Sequence, residues 1–235
     1  MIRSVSKLPN TAFYSAVYTK ISALFKAYGS KYTFCIFWEQ VDNSDNITAI
    51  ICKYYSALTI YLENSADITE LSEFANSLGF SEILSNQKLF SDSIRFNGVN
   101  KACGFKGEFD YHININSARE CYNVLNQHKD NINLPEFDSW YVDISHRIRH
   151  KAAIIKNIDN ASLVCLIGNN TALLNGIAVD LNYKSKGMGK RLLQDFIDNA
   201  PIKDIFAICT DEVVGFYLSC GFKTTEYIYL HKGKC

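Results

Sequence analysis

The 235-residue chain has no excess of either charge: 24 basic residues balance 24 acidic ones. No overall field therefore recruits nucleic acid or an anionic membrane, and any basic patch must act locally. The sequence also lacks a C-x-x-C pair, which removes the usual spacing for structural zinc or dithiol redox chemistry. Its eight cysteines, at positions 35, 52, 103, 121, 165, 209, 220 and 235, lie mostly inside apolar runs and read as buried free thiols. The first residues contain no continuous apolar segment of the kind that directs export. The longest apolar stretch, Ile47 to Leu62, is interrupted by Lys53 and is too short to span a bilayer. A reducing cytoplasm is the expected location.

What the sequence has is material for a core: 48% hydrophobic residues, with 13% aromatic. In the first half, Lys31–Trp38 and Ile47–Leu62 are rich in β-branched and aromatic residues and are separated by the turn-prone Asp42–Asn46, which predicts strands. Ile68, Leu71, Phe74, Ala75 and Leu78 fall at helical spacing, with Gly79 placed as a C-terminal cap. The glycine-containing stretch Asn97–Gly107 has little periodicity and is the expected junction between an N-terminal unit, residues 1–107, and a C-terminal unit, 108–235.

After the junction the pattern predicts a strand over Phe109–Ile115, a helix opened by Ser117 and running toward His128, and a helix from Pro135 to near His150. Three short strands follow at Ala152–Asn157, Leu163–Ile167 and Ala172–Val179. Then come a helix from the glycines near 187 to Pro201, a strand at Ile205–Cys209, a helix at Asp211–Cys220 capped by Gly221, and a strand at Phe222–His231. Turns at Asp159–Asn160 and Gly168–Asn170 make the middle strands antiparallel.

One loop carries chemistry. Val179 to Leu193 sets Lys184, Lys186, Lys190 and Arg191 around Gly187 and Gly189, immediately ahead of an amphipathic helix. Cations this close repel one another unless an anion or water lies among them. A glycine loop feeding a helix start points unpaired N–H groups and the positive end of the helix dipole outward. A phosphate-bearing ligand fits. A phosphate-binding loop of the Walker type would need glycine at Lys184 and Ser or Thr at Arg191. A dinucleotide fingerprint would need its third glycine at Leu192 and a crossover to a parallel strand.

Lys184-Ser-Lys-Gly187-Met-Gly189 resembles the Arg/Gln-x-x-Gly-x-Gly/Ala signature of the GNAT superfamily of acyl-coenzyme A-dependent N-acyltransferases. Phe216-Tyr217-Leu-Ser-Cys-Gly221-Phe222 resembles that family's second element. The resemblance covers residues 108–235 and departs from the pattern at Leu181, Lys184 and Ser185. It implies an α+β fold, with a mixed, mostly antiparallel central sheet flanked by helices. It also implies transfer of an acetyl or similar acyl group from acetyl-CoA to a primary amine, without metal, by direct attack.

In that reading the backbone of Ile177 and Val179 pairs with the pantetheine arm, and a backbone N–H near Ala178 or Val179 serves the oxyanion. Lys184, Ser185, Lys186, Gly187, Met188, Gly189 and Lys190 hold the pyrophosphate. Tyr217 is the general acid, a phenol that stays protonated at neutral pH. Gly176, inside a strand, suggests the bulge at which two strands part to admit the thioester.

The base is not evident. Thr171–Val179 carries no carboxylate, and Asp180, Asp211 and Glu226 are candidates that also read as ordinary caps. That gap leaves a non-catalytic acyl-CoA binding or sensing module as the rival reading. The acceptor, a small molecule or a peptide amine, is left open. His146 and His150 could clamp zinc, but the H-E-x-x-H glutamate is missing and Arg149 would repel the ion. Arg147, Arg149 and Lys151 beside them make an acidic acceptor conceivable. Finally, Phe74-Ala-Asn-Ser-Leu-Gly-Phe80 is similar to Phe216–Phe222, so the first half reads as a possible degenerate copy with no glycine loop and no tyrosine at Ala75.

Overall fold

The structure, a computed structural model, describes residues 1–9, 13–129 and 134–233. Cys235 falls outside them. In chain order the elements are β1 (Ile2–Ser4), α1 (Ala16–Tyr28), β2 (Cys35–Val41), β3 (Ile47–Tyr54), β4 (Ala57–Leu62), α2 (Ile68–Leu78), β5 (Glu82–Ser85) and β6 (Ile94–Ala102). The second half continues with α3 (Ile115–Asn126), α4 (Phe137–Arg149), β7 (Ala153–Ile158), β8 (Ala161–Ile167), β9 (Thr171–Val179), α5 (Met188–Asn199), β10 (Asp204–Cys209), α6 (Asp211–Ser219) and β11 (Lys223–Lys232).

Local chemistry sets the helix boundaries. Asp67 caps α2 by accepting from the Glu70 N–H at 3.0 Å, and Asn114 caps α3 by accepting from the Ser117 N–H at 2.8 Å. Ser117 is therefore the third residue of α3 rather than its opener. Gly29 and Gly79 end α1 and α2 with positive φ, a conformation that favours glycine. Helix α1 was not legible as a helix because it has no polar face: ten of its thirteen residues are buried, so the hydrophobic pattern shows no period.

All eleven strands form one sheet in the order β1-β2-β3-β4-β5-β11-β6-β10-β9-β8-β7. Exchanging β2 to β6 with β7 to β11 reproduces this order read from the other end, apart from the extra edge strand β1. Each half has one parallel pair, β4 with β5 and β9 with β10, bridged by α2 and α5 respectively. In the middle the halves interleave: β11 lies between β5 and β6, and β6 lies between β11 and β10.

This topology corrects three expectations. Asn97 to Ala102 is not loop but the end of β6, hydrogen-bonded on both sides within the C-terminal half's sheet; only residues 103–107 remain irregular. Phe109–Ile115 is not a strand. Its slot beside β10 is filled by β6, so the segment packs over the core instead, with Phe109 stacked on Phe196 at 5.9 Å, and Ile115 opens α3. The Phe74–Phe80 element lies on α2, which takes the place of α5 and not of α6. The halves repeat in topology, but the two Gly-Phe elements do not correspond.

Helices α1, α3 and α4 cover one face of the sheet around Phe37, Ile21, Leu125 and Phe206, while α5 and α6 cover the other around Leu163, Leu193 and Ile205. A smaller cluster under α2 holds Leu71 and Ile60. Each such side chain contributes about 1.5–3 kcal/mol through burial. No helix among the described residues is long and apolar enough to cross a membrane.

Candidate functional site

Strands β9 and β10 pair only from Thr171–Leu174 with Asp204–Ala207. Beyond that point β9 stays with β8 through a bulge at Asn175, next to Gly176, and β10 stays with β6, so a gap opens between them. A Cβ on Gly176 would lie 3.3 Å from Leu125, tighter than ordinary contact, which fits a glycine where helix and bulged strand approach closely.

The exposed edge of β9 has a defined polarity. Asp180 N–H donates to Asn160 O at 2.8 Å, on the β8 side. Successive peptide groups alternate in direction along a strand, so the N–H and C=O of Val179 and of Ile177 face the gap. These are the two residues expected to pair with a pantetheine arm.

Helix α5 begins at the open end of the gap. Its N-cap, Gly187, has φ of 76° and makes no side-chain cap bond; Ser185 is also left-handed, at φ of 63°. The first helical bond runs from Arg191 N–H to Gly187 O at 3.0 Å, so the N–H groups of Met188, Gly189 and Lys190 precede the helical ladder and point outward. Gly189 lets the helix approach the strand. A Cβ there would meet Val179 at 3.4 Å and Phe216 at 3.7 Å.

Strand edge and helix start enclose a cavity of about 520 Å³. Ile177, Ala178, Val179, Lys184, Ser185, Gly187, Met188, Gly189 and Lys190 all line it. Lys186 does not; its ammonium stands 4.8 Å from the Tyr183 ring. Arg191 is spent on Asp159 at 3.2 Å, so the four-cation cluster presents Lys184 and Lys190 to the cavity. Four lining residues were not anticipated: His128, Tyr183, Val213 and Phe216. His128 Nε2 lies 2.8 Å from Val179 O. Nothing in its sequence neighbourhood marks it, because it reaches the cavity through the packing of α3 against β8 and β9.

Tyr217 is placed elsewhere. It is buried, with its ring between Phe216 and Phe222, and lies outside the cavity lining; Phe216 lines the cavity instead. Burial, with the thiols of Cys209, Cys220 and Cys165 nearby, pushes its phenol well above the ordinary range, and among the described residues its hydroxyl has no hydrogen-bond partner.

The three carboxylates differ. Asp180 accepts from Gln127 Nε2 at 2.9 Å and from Asn182 N–H at 2.9 Å; the Gln127 bond foremost holds it below the usual range, as befits a cap. Asp211 opens α6 and accepts from Asn97 Nδ2 at 2.7 Å. Glu226 is half-buried and accepts from Ser15 Oγ at 2.8 Å and Ala16 N–H at 2.7 Å; burial raises it.

The α4 cluster is structural. Arg147 is 12% exposed and pairs with Asp143 at 2.9 Å, while His146 stacks on Tyr28 and reaches Ala27 O at 3.0 Å. Arg147 is thus not free for an acidic acceptor.

The family model described as "Acetyltransferase (GNAT) domain" matches residues 138–234, from the start of α4 through β11. Over those residues the chain carries a GNAT acetyltransferase domain. No curated protein sequence matches the chain. Among solved structures, the GCN5-related N-acetyltransferase from Sphaerobacter thermophilus is similar at 9% identity and a TM-score of 0.57, covering 98% of this chain and 95% of that one. A tandem GNAT protein from the clavulanic acid biosynthesis pathway is similar at 7% identity and a TM-score of 0.54, covering 100% and 99%. These likenesses extend over both halves of the chain and concern the fold alone.

Proposed function

We propose that this GNAT protein transfers an acetyl or similar acyl group from acetyl-CoA to a primary amine. The observation that carries the reading is the junction of β9's unpaired edge with the uncapped start of α5. The edge offers an extended pantetheine arm the N–H and C=O groups of Ile177 and Val179, as an added strand would use them. The helix start offers a pyrophosphate the N–H groups of Met188, Gly189 and Lys190, with Lys184 and Lys190 beside them. The coenzyme supplies the thioester. The chain's residues orient it in the gap, and Tyr217, next in the chain to the cavity-lining Phe216, is the proposed proton donor to the departing sulfur.

Residues 108–235 hold the coenzyme in this proposal, and the first half shapes the rest of the site. In that half the position of the glycine loop is taken by the segment that leads to Asp67 and Glu70, which disfavours an anion. The seven cysteines among the described residues are all unpaired, which suits a reducing, cytoplasmic compartment.

The reading is tested by titrating the protein with acetyl-CoA in a calorimeter and by following thiol release across a panel of primary amines. Binding and amine-dependent thiol release are expected. Gly189→Val, whose side chain would fill the space between Val179 and Phe216, should weaken binding at least tenfold without unfolding the chain. A non-catalytic acyl-CoA sensor is the second reading, favoured by the absence of a carboxylate on β9. It predicts binding without thiol release for any amine.

A further inference from the structure

The acyl transfer proposed above needs a group that takes a proton from the incoming amine, and β9 has none. The sheet supplies one from three strands away, on β11. Across the sheet at the level where the gap opens, Glu226 on β11 pairs with Gly98 on β6, and Gly98 pairs with Ile208 on β10, one residue past the last β9–β10 pair. A register shift in β11 between Thr224 and Glu226 re-aims the side chain at this point.

Gly98 makes room for it. A Cβ on Gly98 would lie 2.5 Å from Glu226 Cγ, so the Glu226 side chain runs directly over the bare glycine. Strands lie about 4.8 Å apart; a carboxyl group carried over β6 in this way ends roughly one strand spacing from β10, the strand that borders the gap. It does so on the face covered by α1 and α3, whereas α5 and α6 cover the other.

The carboxylate is held but not neutralised. Ser15 and the Ala16 N–H fix both oxygens, and Tyr14, just ahead of α1, and Tyr61 of β4 are the neighbouring titratable groups. Among the described residues no Lys, Arg or His pairs with it. A half-buried carboxylate with only a helix start as counter-charge is incomplete electrostatically, and an ammonium would complete it.

We infer that Glu226 is the acceptor-side carboxylate, binding the substrate as a primary ammonium and taking its proton. The inference rests on the acyltransferase reading. The step balances as follows. R–NH3⁺ gives a proton to the Glu226 carboxylate; the freed amine attacks the thioester carbonyl, forming the C–N bond as the carbonyl oxygen takes the π electrons; the C–S bond breaks when this tetrahedral intermediate collapses. The amine's second proton leaves the tetrahedral intermediate and the sulfur departs as thiol. The Glu226 proton then passes to water. Burial, which raises this carboxyl group, makes it a better base than an exposed glutamate.

The test compares native protein, Glu226→Gln and Gly98→Ala, with acetyl-CoA as donor and two kinds of acceptor: alkylammoniums (butylamine, putrescine, tyramine) and hydroxylamine, which is uncharged at neutral pH. The glutamine keeps the shape and one acceptor oxygen. The alanine displaces the carboxylate without removing it. Both variants should bind acetyl-CoA within about twofold of native, lose about 10²–10³ in kcat/KM for the alkylammoniums, and lose much less with hydroxylamine. Native rates in Glu226→Gln, an equal loss with both kinds of acceptor, or no acetylation of any amine by native protein that binds acetyl-CoA would overturn the inference. Failure of the native protein to bind acetyl-CoA at all would instead refute the acyltransferase reading beneath it.

Discussion

His128 Nε2 sits 2.8 Å from the carbonyl oxygen of Val179, on the side of β9 that faces the gap. That carbonyl is one of the four strand-edge groups an extended coenzyme arm would use, so the imidazole and the arm's amide compete for it. Replacing His128 with alanine removes the competitor. The acetyl-CoA dissociation constant, read by calorimetry, should fall about three- to tenfold, the equivalent of one neutral hydrogen bond of about 1 kcal/mol. An increase would show that the ring contacts the coenzyme directly.

Tyr217 has a hydroxyl without a partner among the described residues, inside a wall of apolar groups and thiols. A purely structural tyrosine in that setting gains nothing from its oxygen, so Tyr217→Phe should leave the melting temperature unchanged or raised. If the phenol protonates the leaving sulfur, turnover falls by about 10–10³ while acetyl-CoA affinity holds. Unchanged turnover removes Tyr217 from the chemistry.

The buried thiols set an alkaline limit on stability. Burial pushes Cys103 and Cys209 up to about 11 and Cys121 up to about 12. Folded values above the unfolded ones mean that the unfolded chain binds fewer protons between them, so stability declines as pH rises. The contribution is complete below about pH 8.5, where unfolded thiols are still protonated, and is lost as pH climbs toward 11–12. Circular dichroism against pH should show cooperative unfolding in that window. Cys121, fully buried, should react with a thiol reagent only as fast as the chain opens.

In the first half, Asn86 closes the place where the second half has its gap. Its amide accepts from Leu62 N–H at 2.8 Å and donates to Leu62 O at 2.9 Å, and Gln87 adds a contact to the same oxygen at 3.3 Å. The β4 edge is therefore satisfied by the chain itself. Asn86→Ala would leave both groups of Leu62 short of partners and should cost about 1–3 kcal/mol, measured by denaturant unfolding. The acetyl-CoA affinity should not change.

Much of the second half was legible for two reasons. Helices α4, α5 and α6 keep one wet face and so show helical periodicity, while β8, buried throughout, reads as a short apolar run between turns, and Gly187 and Gly189 announce a helix start. The residues expected at the coenzyme came from the family resemblance built on that start, and nine of the ten line the cavity. Buried helix α1 lacked any period, and the short β5 offers only Ile83 and Leu84 as an apolar signal. Strand β6, with Asn97, Gly98, Asn100 and Lys101, looks like a loop by composition and is held by its neighbours on both sides. Glu226 and His128 depend on register and helix placement, which no local pattern encodes.

The exchange of β6 and β11 bears on how the chain reaches this shape during synthesis. Until residues 223–232 emerge from the ribosome, β5 and β6 each present a bare edge, so the first half must wait for the last strand to be sealed. The same interlock acts afterward. A protease cutting within the irregular 103–107 segment would yield two fragments still woven through one another, migrating as a single particle until denatured.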